Sequence, residues 1–242
     1  MFKQVKSIVK NAFLVFKTPS LLRRGTPLLW PIQRAYTEWV LETKNKSEVE
    51  LIMSLTGKNQ TEIEKIMAET NFEARALVQY SLVRIIKPRL VVETGVNKGL
   101  SSAAILTAME RNQEGELYSI DLPTESQLTD GTVYQRSSPL EVGRLVPYEV
   151  RHRWHLILGD AKNELPKLMD ELKNIDIFLH DSLHTEEHMM WEFTTAWPYI
   201  REGGFLCSDD IGVSFLKFAK KHECKKWGCS GPYSTKLGVI VK

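Results

Sequence analysis

The sequence predicts an α/β domain built on a doubly wound, mostly parallel sheet, and three observations lead to this fold class. From about residue 76, short apolar runs alternate with segments of helical periodicity, the pattern of a parallel sheet covered by helices on both faces. The apolar runs end at glycine or acidic residues, as strands do at a ligand-binding edge. Two short apolar runs around Ser230-Gly231-Pro232 predict a C-terminal antiparallel hairpin at the sheet edge.

The predicted elements follow one another in a regular order. We assign residues 1–75 to an N-terminal helical extension, broken by loops, and residues 76–242 to the α/β domain. The predicted strands are 89–93, 117–120, 154–158, 175–179 and 204–207, and the predicted helices are 72–86, 101–111, 163–172 and 185–197. Residues 122–153 interrupt the order with a long polar stretch, which we expect to form part of a substrate pocket or lid.

Composition and charge argue against several classes of function. The net charge of +2 is too small to indicate nucleic-acid binding, and no basic block with interleaved aromatic residues is present. The three cysteines form no C-x-x-C pair, which argues against a zinc site or a disulfide framework and indicates reduced thiols in a cytoplasmic protein. No apolar run approaches the roughly 20 residues that span a bilayer.

The N-terminal segment has the pattern of a basic amphipathic helix. Its apolar residues fall on one helical face, with lysines around it; they are Val5, Ile8, Val9, Ala12, Phe13 and Phe16. Such a helix can make a weak contact with a membrane surface. It can equally dock on its own domain or on the partner in a homodimer.

A glycine-containing turn follows the first predicted strand. Gly95 allows the backbone to turn sharply and to approach a ligand without a Cβ clash, and Gly99 ends the turn. Ser101 and Ser102 open the next helix, whose free N–H groups favour an anionic group such as a carboxylate. The spacing E-x-G-x-x-x-G lacks the third glycine of a dinucleotide fingerprint, which makes an NAD-dependent dehydrogenase a poor alternative.

Acidic residues end the next two predicted strands. Asp121 ends the second strand, where a carboxylate can accept hydrogen bonds from both hydroxyls of a ribose. Asp160 follows the third strand and could accept a hydrogen bond from an adenine amino group. These features, in register with the glycine turn, indicate a nucleotide-like ligand at this edge of the sheet.

A second group of polar residues follows the fourth and fifth strands. Asp181 and His184 come after the run that ends at Leu179, and Asp209 and Asp210 come after the run that ends at Cys207. Carboxylates this close repel one another unless a proton or a cation lies between them. An all-oxygen carboxylate set suits Mg²⁺ or Mn²⁺ better than zinc.

Taken in order, these motifs resemble those of class I S-adenosylmethionine-dependent methyltransferases, whose sheet is Rossmann-like. The correspondence covers about residues 76–242. Glu93-Thr94-Gly95 to Gly99 match the first motif of that family, Asp121 its ribose acid, and Gly159-Asp160-Ala161 its adenine motif. The resemblance implies that S-adenosylmethionine is bound at this edge and that a small-molecule methyl acceptor lies beside it.

The stretch from Val146 to Asp210 is most similar to a subgroup related to metal-dependent sugar and antibiotic O-methyltransferases. That likeness implies that Asp181, Asp209 and Asp210 bind Mg²⁺ and that His184 takes the proton of the acceptor hydroxyl. The expected activity is O-methylation of a sugar or a natural product.

Several alternatives remain open from the residues. His184 could act as the base without a metal, or the protein could bind S-adenosylmethionine and serve as a non-catalytic interaction protein. His180 is interpreted as structural or as packing beside the adenine. Glu187 and Glu192 are interpreted as a solvated helix face.

Overall fold

The computed structural model describes residues 48–122, 125–127, 133–135, 142–209, 211–230 and 236–242. The predicted N-terminal amphipathic helix and the predicted metal ligand Asp210 lie outside these residues. The helices, numbered from the first one described, are α1 (Glu48–Thr56), α2 (Gln60–Met67), α3 (Ala74–Ile86), α4 (Leu100–Asn112), α5 (Ala161–Leu172), α6 (Glu186–Ala196) and α7 (Val213–Lys221). Short 3-10 helices span Tyr148–Arg153 and Trp197–Tyr199.

Seven strands form one sheet in the order β5-β2-β1-β6-β7-β9-β8. The strands are β1 (Leu90–Thr94), β2 (Glu116–Asp121), β5 (Trp154–Leu158), β6 (Ile175–His180), β7 (Ile200–Ser208), β8 (Lys226–Ser230) and β9 (Lys236–Val241). Neighbouring strands in the run β5-β2-β1-β6-β7 are all parallel, and β9 runs antiparallel to both β7 and β8. The prediction of a doubly wound, mostly parallel sheet with a C-terminal antiparallel hairpin is therefore confirmed.

The strand order puts the chain reversal between β1 and β6. The sheet grows from β1 outward to β2 and β5 on one side, and from β6 to β7 on the other. At such a switch point the loops that leave the two central strands turn to opposite faces, and the crevice between them is the usual ligand site of an open α/β sheet. Thr94 and His180, which end β1 and β6, are paired across this point.

One apolar core joins the sheet to the helices that precede it. Leu51, Ile52 and Ile63 from α1 and α2 are fully buried in the same cluster as Val91 of β1 and Leu106 of α4. Small side chains let α4 pack closely, because Ala103, Ala104 and Ala108 are at most 3% exposed. Residues 48–86 thus form part of the wall that supports the sheet.

The long stretch between β2 and β5 contacts the glycine turn. It includes a two-stranded antiparallel sheet of β3 (Glu125–Gln127) and β4 (Val133–Gln135). Further on, the Gly143 and Leu145 amides donate to the carbonyls of Asn97 and Lys98, over 2.8 and 2.9 Å. The end of this stretch is therefore fixed to the turn that was predicted to hold the cofactor.

Among the described residues, no helix is both long enough and apolar enough to cross a membrane.

Candidate active site

The glycine turn between β1 and α4 adopts a backbone conformation that favours glycine. Gly95 and Gly99 have φ values of +84° and +85°. A Cβ added to Gly95 would lie 2.1 Å from the carbonyl oxygen of Asp181, so no other residue fits there without moving the chain after β6. The turn that follows β1 and the segment that follows β6 are therefore in direct contact.

The carboxyl group of Glu93 holds this turn from below. It is fully buried and accepts hydrogen bonds from the hydroxyls of Ser101, Ser102 and Ser119, the last two over 2.6 and 2.9 Å. Burial raises the pKa of Glu93 to about 7, against the three serine hydrogen bonds that lower it. Glu93 therefore fixes the start of α4 and the neighbouring strand, which explains why a glutamate precedes the glycine turn.

Asp121 lies at the end of β2 and faces the same turn. Its Oδ2 accepts hydrogen bonds from the amides of Val96 and Asn97, over 3.1 and 2.7 Å, and its Oδ1 accepts one from the Leu122 amide. The carboxylate is thus held by backbone donors at the edge where a ribose was predicted. Its role toward a ribose stays a prediction.

The segment Gly159-Asp160-Ala161 joins β5 to α5. The Gly159 amide donates to the carbonyl of Asp121 over 2.9 Å, which places the segment beside the end of β2. Asp160 is the N-cap of α5 and accepts a hydrogen bond from the Lys162 amide over 2.9 Å, and Ala161 is the first helical residue. A helix-capping role therefore accounts for Asp160, and its predicted contact with adenine stays a prediction.

Three predicted acceptor-site residues come together at the ends of β6 and β7. Asp181, His184 and Asp209 each offer a ligand atom, and these atoms lie within 4.8 Å of one another. His184 Nε2 is 3.6 Å from Asp181 Oδ1. The backbone explains the proximity, since the Asp181 amide donates to the Thr94 carbonyl and the Asp209 amide to the His180 carbonyl.

A residue that the sequence did not indicate lies against both acids. The guanidinium of Arg75, in the first turn of α3, contacts Asp209 Oδ1 and lies 3.5 Å from Asp181 Oδ2. Its side chain is 31% exposed. An arginine between two carboxylates supplies part of the positive charge that they would otherwise need from a bound cation.

A second unpredicted group lies beneath the cluster and centres on Glu192 of α6. Oε2 accepts hydrogen bonds from the Thr94 hydroxyl and is 2.6 Å from His180 Nδ1, while Oε1 accepts from the Ser182 hydroxyl and is 2.9 Å from His188 Nε2. The interpretation of Glu192 as a solvated face was wrong, because its side chain is fully buried.

The ionisation of Glu192 follows from these partners. Burial alone would raise its pKa, but the hydrogen bonds and charges of His180 and His188 outweigh it and lower the pKa to about 2. Glu192 is therefore a fixed negative charge. It ties the ends of β1 and β6 to α6 and orients the imidazole of His180. The Nε2 atom of His180 has no hydrogen-bond partner among the described residues, which leaves its predicted contact with the cofactor untested.

The donor atoms of the cluster fit a divalent cation. Two carboxylates and an imidazole whose ligand atoms lie within 4.8 Å of one another form a mixed oxygen and nitrogen set. Mg²⁺ or Mn²⁺ accepts such a set, and Mn²⁺ is better suited to the imidazole. His184 belongs to the same set that was predicted to contain only carboxylates. Metal ligation and proton acceptance therefore compete for the same imidazole.

Comparison with solved structures defines the class of the fold. The chain superposes on the O-methyltransferase from Bacillus cereus in complex with SAH with a TM-score of 0.53 and 14% identity, covering 86% of this chain and 96% of that chain. The O-methyltransferase TomG from Streptomyces achromogenes, involved in tomaymycin synthesis and solved with SAM, gives a TM-score of 0.53 and 17% identity, covering 86% and 95%. The fold is that of the class I methyltransferases.

The sequence comparison identifies the family. Residues 92–211 match the family model described as a methyltransferase domain, a stretch that runs from β1 to the residues after β7. No curated protein sequence matches the chain significantly. The matched region therefore belongs to this methyltransferase family.

Proposed function

We propose that the protein is an O-methyltransferase that acts on a small hydroxylated acceptor, such as a sugar or a natural-product diol. One observation carries the proposal. Asp181, His184 and Asp209 meet at the edge of the sheet where Gly95 of the glycine turn touches the backbone of Asp181. A donor on the turn and an acceptor on the cluster would therefore be neighbours.

The donor side would be formed by the glycine turn and its flanking strand ends. S-adenosylmethionine supplies an electrophilic methyl group on a sulfonium. The free N–H groups at the start of α4 would receive its carboxylate, and Asp121 would accept from its ribose hydroxyls. Gly159 to Ala161 would line the adenine side. Glu93 would act indirectly, by holding Ser101 and Ser102 in place.

On the acceptor side, His184 would take the proton from the attacking hydroxyl. An imidazole side chain can accept and release a proton near neutral pH, which suits it to this role. Asp181, 3.6 Å away, would stabilise the imidazolium that results. General-base help of this kind contributes about 10²–10⁴-fold in rate, and positioning of the two substrates would supply much of the rest.

The proposal includes Mg²⁺ assistance, with Asp181, Asp209 and the undescribed Asp210 as the residues that would hold the ion. A bound Mg²⁺ would orient neighbouring acceptor oxygens and lower the pKa of the attacking hydroxyl. The carboxylate oxygens of Asp181 and Asp209 support this role, because Mg²⁺ prefers oxygen ligands.

A metal-independent reaction that uses His184 alone is the second candidate. The position of Arg75 favours it, because its guanidinium already contacts Asp209 and lies near Asp181. In that case Arg75 would supply the positive charge of the acceptor site.

The test is calorimetric binding of adenosylhomocysteine, followed by turnover against a panel of sugar and catechol-like acceptors. We expect Asp121→Ala to weaken donor binding by at least tenfold. Combined Asp209→Ala and Asp210→Ala should abolish turnover while donor binding is retained. Glu187→Gln, an exposed change on α6, is the matched control. Normal turnover of the double variant in the presence of a chelator would contradict the metal role, and absence of any donor binding would contradict the function itself.

A further inference from the structure

Arg75 has an unusual position for a basic residue in a helix. It is the second residue of α3, and the first turn of this helix contains no acidic residue. The basic residue at the other end of the helix is Arg84, in the last turn. The N-terminal end of a helix carries partial positive charge, so a cation there is disfavoured by the helix itself. The N-cap of α3 also makes no side-chain hydrogen bond. Nothing local to the helix therefore explains Arg75.

The acceptor site does explain it. The side chains of Asp181 and Asp209 are 22% and 17% exposed, so they are partly withdrawn from water. Their nearest ligand atoms lie within 4.8 Å of each other. Two negative charges this close repel each other, and a positive charge placed between them offsets that repulsion. Arg75 provides one, and its planar guanidinium can contact both residues at once.

We propose that Arg75 is the resident cation of the acceptor site, and that Arg75 and a divalent cation exclude each other from Asp181 and Asp209. The inference rests on the proposed function, because it concerns the same site. A cation bound by both carboxylates would lie within a few ångströms of the guanidinium. Like charges at that distance repel strongly in a partly dehydrated site.

The side chain of Arg75 can leave without unfolding its helix. It is 31% exposed and lies at the start of α3, so rotation about its side-chain bonds brings the guanidinium into solvent. Cation binding and release of Arg75 are then one event, and the affinity of the site for metal is reduced by the interaction with Arg75 that must be broken. Arg75 thereby sets the affinity of the site for a divalent cation.

The test compares Mn²⁺ binding to the wild type and to Arg75→Met by calorimetry, with thermal unfolding in parallel. We expect Arg75→Met to bind Mn²⁺ at least tenfold more tightly. In EDTA the variant should melt at a lower temperature than the wild type, because Asp181 and Asp209 lose their counter-ion, and Mn²⁺ should restore most of the loss. Arg75→Lys, which keeps the charge, should bind Mn²⁺ within about threefold of the wild type.

Arg84→Met is the matched control, since it removes an arginine from the same helix that pairs with Glu69 over 2.8 Å. It should leave Mn²⁺ affinity unchanged. Equal Mn²⁺ affinity in wild type and Arg75→Met, or no Mn²⁺ binding by either, would overturn the inference. If Arg75→Met does not fold, Arg75→Gln gives the same comparison. Adenosylhomocysteine binding in the same samples separates this result from a failure of the methyltransferase function.

Discussion

Two fully buried glutamates lie under the two halves of the candidate site, and their surroundings shift their pKa values in opposite directions. Glu93 lies beneath the glycine turn, the proposed donor side, where three serine hydroxyls donate to it, and its pKa is raised to about 7. Glu192 lies beneath the cluster of Asp181, His184 and Asp209, the proposed acceptor side. Two hydroxyls and two imidazoles surround it, and its pKa is lowered to about 2.

The difference shows what it takes to keep a carboxylate charged inside a protein. Burial raises the pKa of either group. Hydroxyl dipoles stabilise the anion at Glu93 too weakly to offset burial, whereas imidazoles, which can carry a proton, more than offset it at Glu192. The glycine turn is thus supported by a group that can become neutral, and the segment after β6 is supported by a fixed charge.

The largest change in stability is expected when the charge of Glu192 is removed. We expect Glu192→Gln to destabilise the protein by about 3–5 kcal/mol, because the new amide group must face donors that were paired with a carboxylate and removal of one partner leaves the other buried. Urea unfolding at pH 7 measures the change, with Glu187→Gln on the same helix as the control. An unfolding free energy equal to that of the wild type would show that the anion is not needed there.

A second test uses pH and concerns Glu93. In the unfolded chain this carboxyl loses its proton near pH 4.5, and in the folded chain near pH 7. Since the folded pKa is the higher one, the unfolded state gains charge first, and stability falls as pH rises from about 4.5 to about 7. The loss should approach roughly 3 kcal/mol, from the difference between the two pKa values.

Glu93→Gln should not show that loss, so its stability relative to the wild type should improve between pH 5 and pH 8. Unfolding by urea at four pH values in this range checks it. Glu192 has the opposite sign, because its folded pKa is depressed. Its contribution is present above about pH 4.5 and disappears as pH falls toward 2. Parallel pH profiles of the wild type and Glu93→Gln would contradict the raised pKa.

The sheet was predictable from the sequence, and the buried charges were not. Apolar runs of strand length and the helical segments between them indicate the order of elements without knowledge of contacts, and the ends of these runs indicated Asp121, Asp181 and Asp209. Glu192 was misread because its burial depends on Thr94 and His180, which belong to other elements. The spacing of His188 and Glu192, four residues apart on α6, was the available signal.

The ion pairs of Arg75 could not be predicted from the sequence either. The sequence around it predicts only a helix, and its partners follow more than 100 residues later. Pairing over that distance is decided by how α3 packs beside the ends of β6 and β7. A basic residue in a helical first turn that lacks acidic residues is a weak local sign that its partner lies elsewhere.

The smallest change in stability is expected when a single hydroxyl donor is removed from either glutamate. Ser182→Ala removes one donor from Glu192, and Ser102→Ala removes one from Glu93. A hydrogen bond to an ionised group contributes about 1.5–3 kcal/mol and one to a neutral group about 0.5–1.5 kcal/mol.

At pH 5 Glu93 is protonated and Glu192 is ionised, so Ser182→Ala should lower the free energy of unfolding more than Ser102→Ala does, although Ser102 is the more deeply buried serine. At pH 9, where Glu93 is also ionised, the two costs should converge. Urea unfolding of both variants at the two pH values measures this, and a larger cost for Ser102→Ala at pH 5 would mean that burial outweighs charge at these positions.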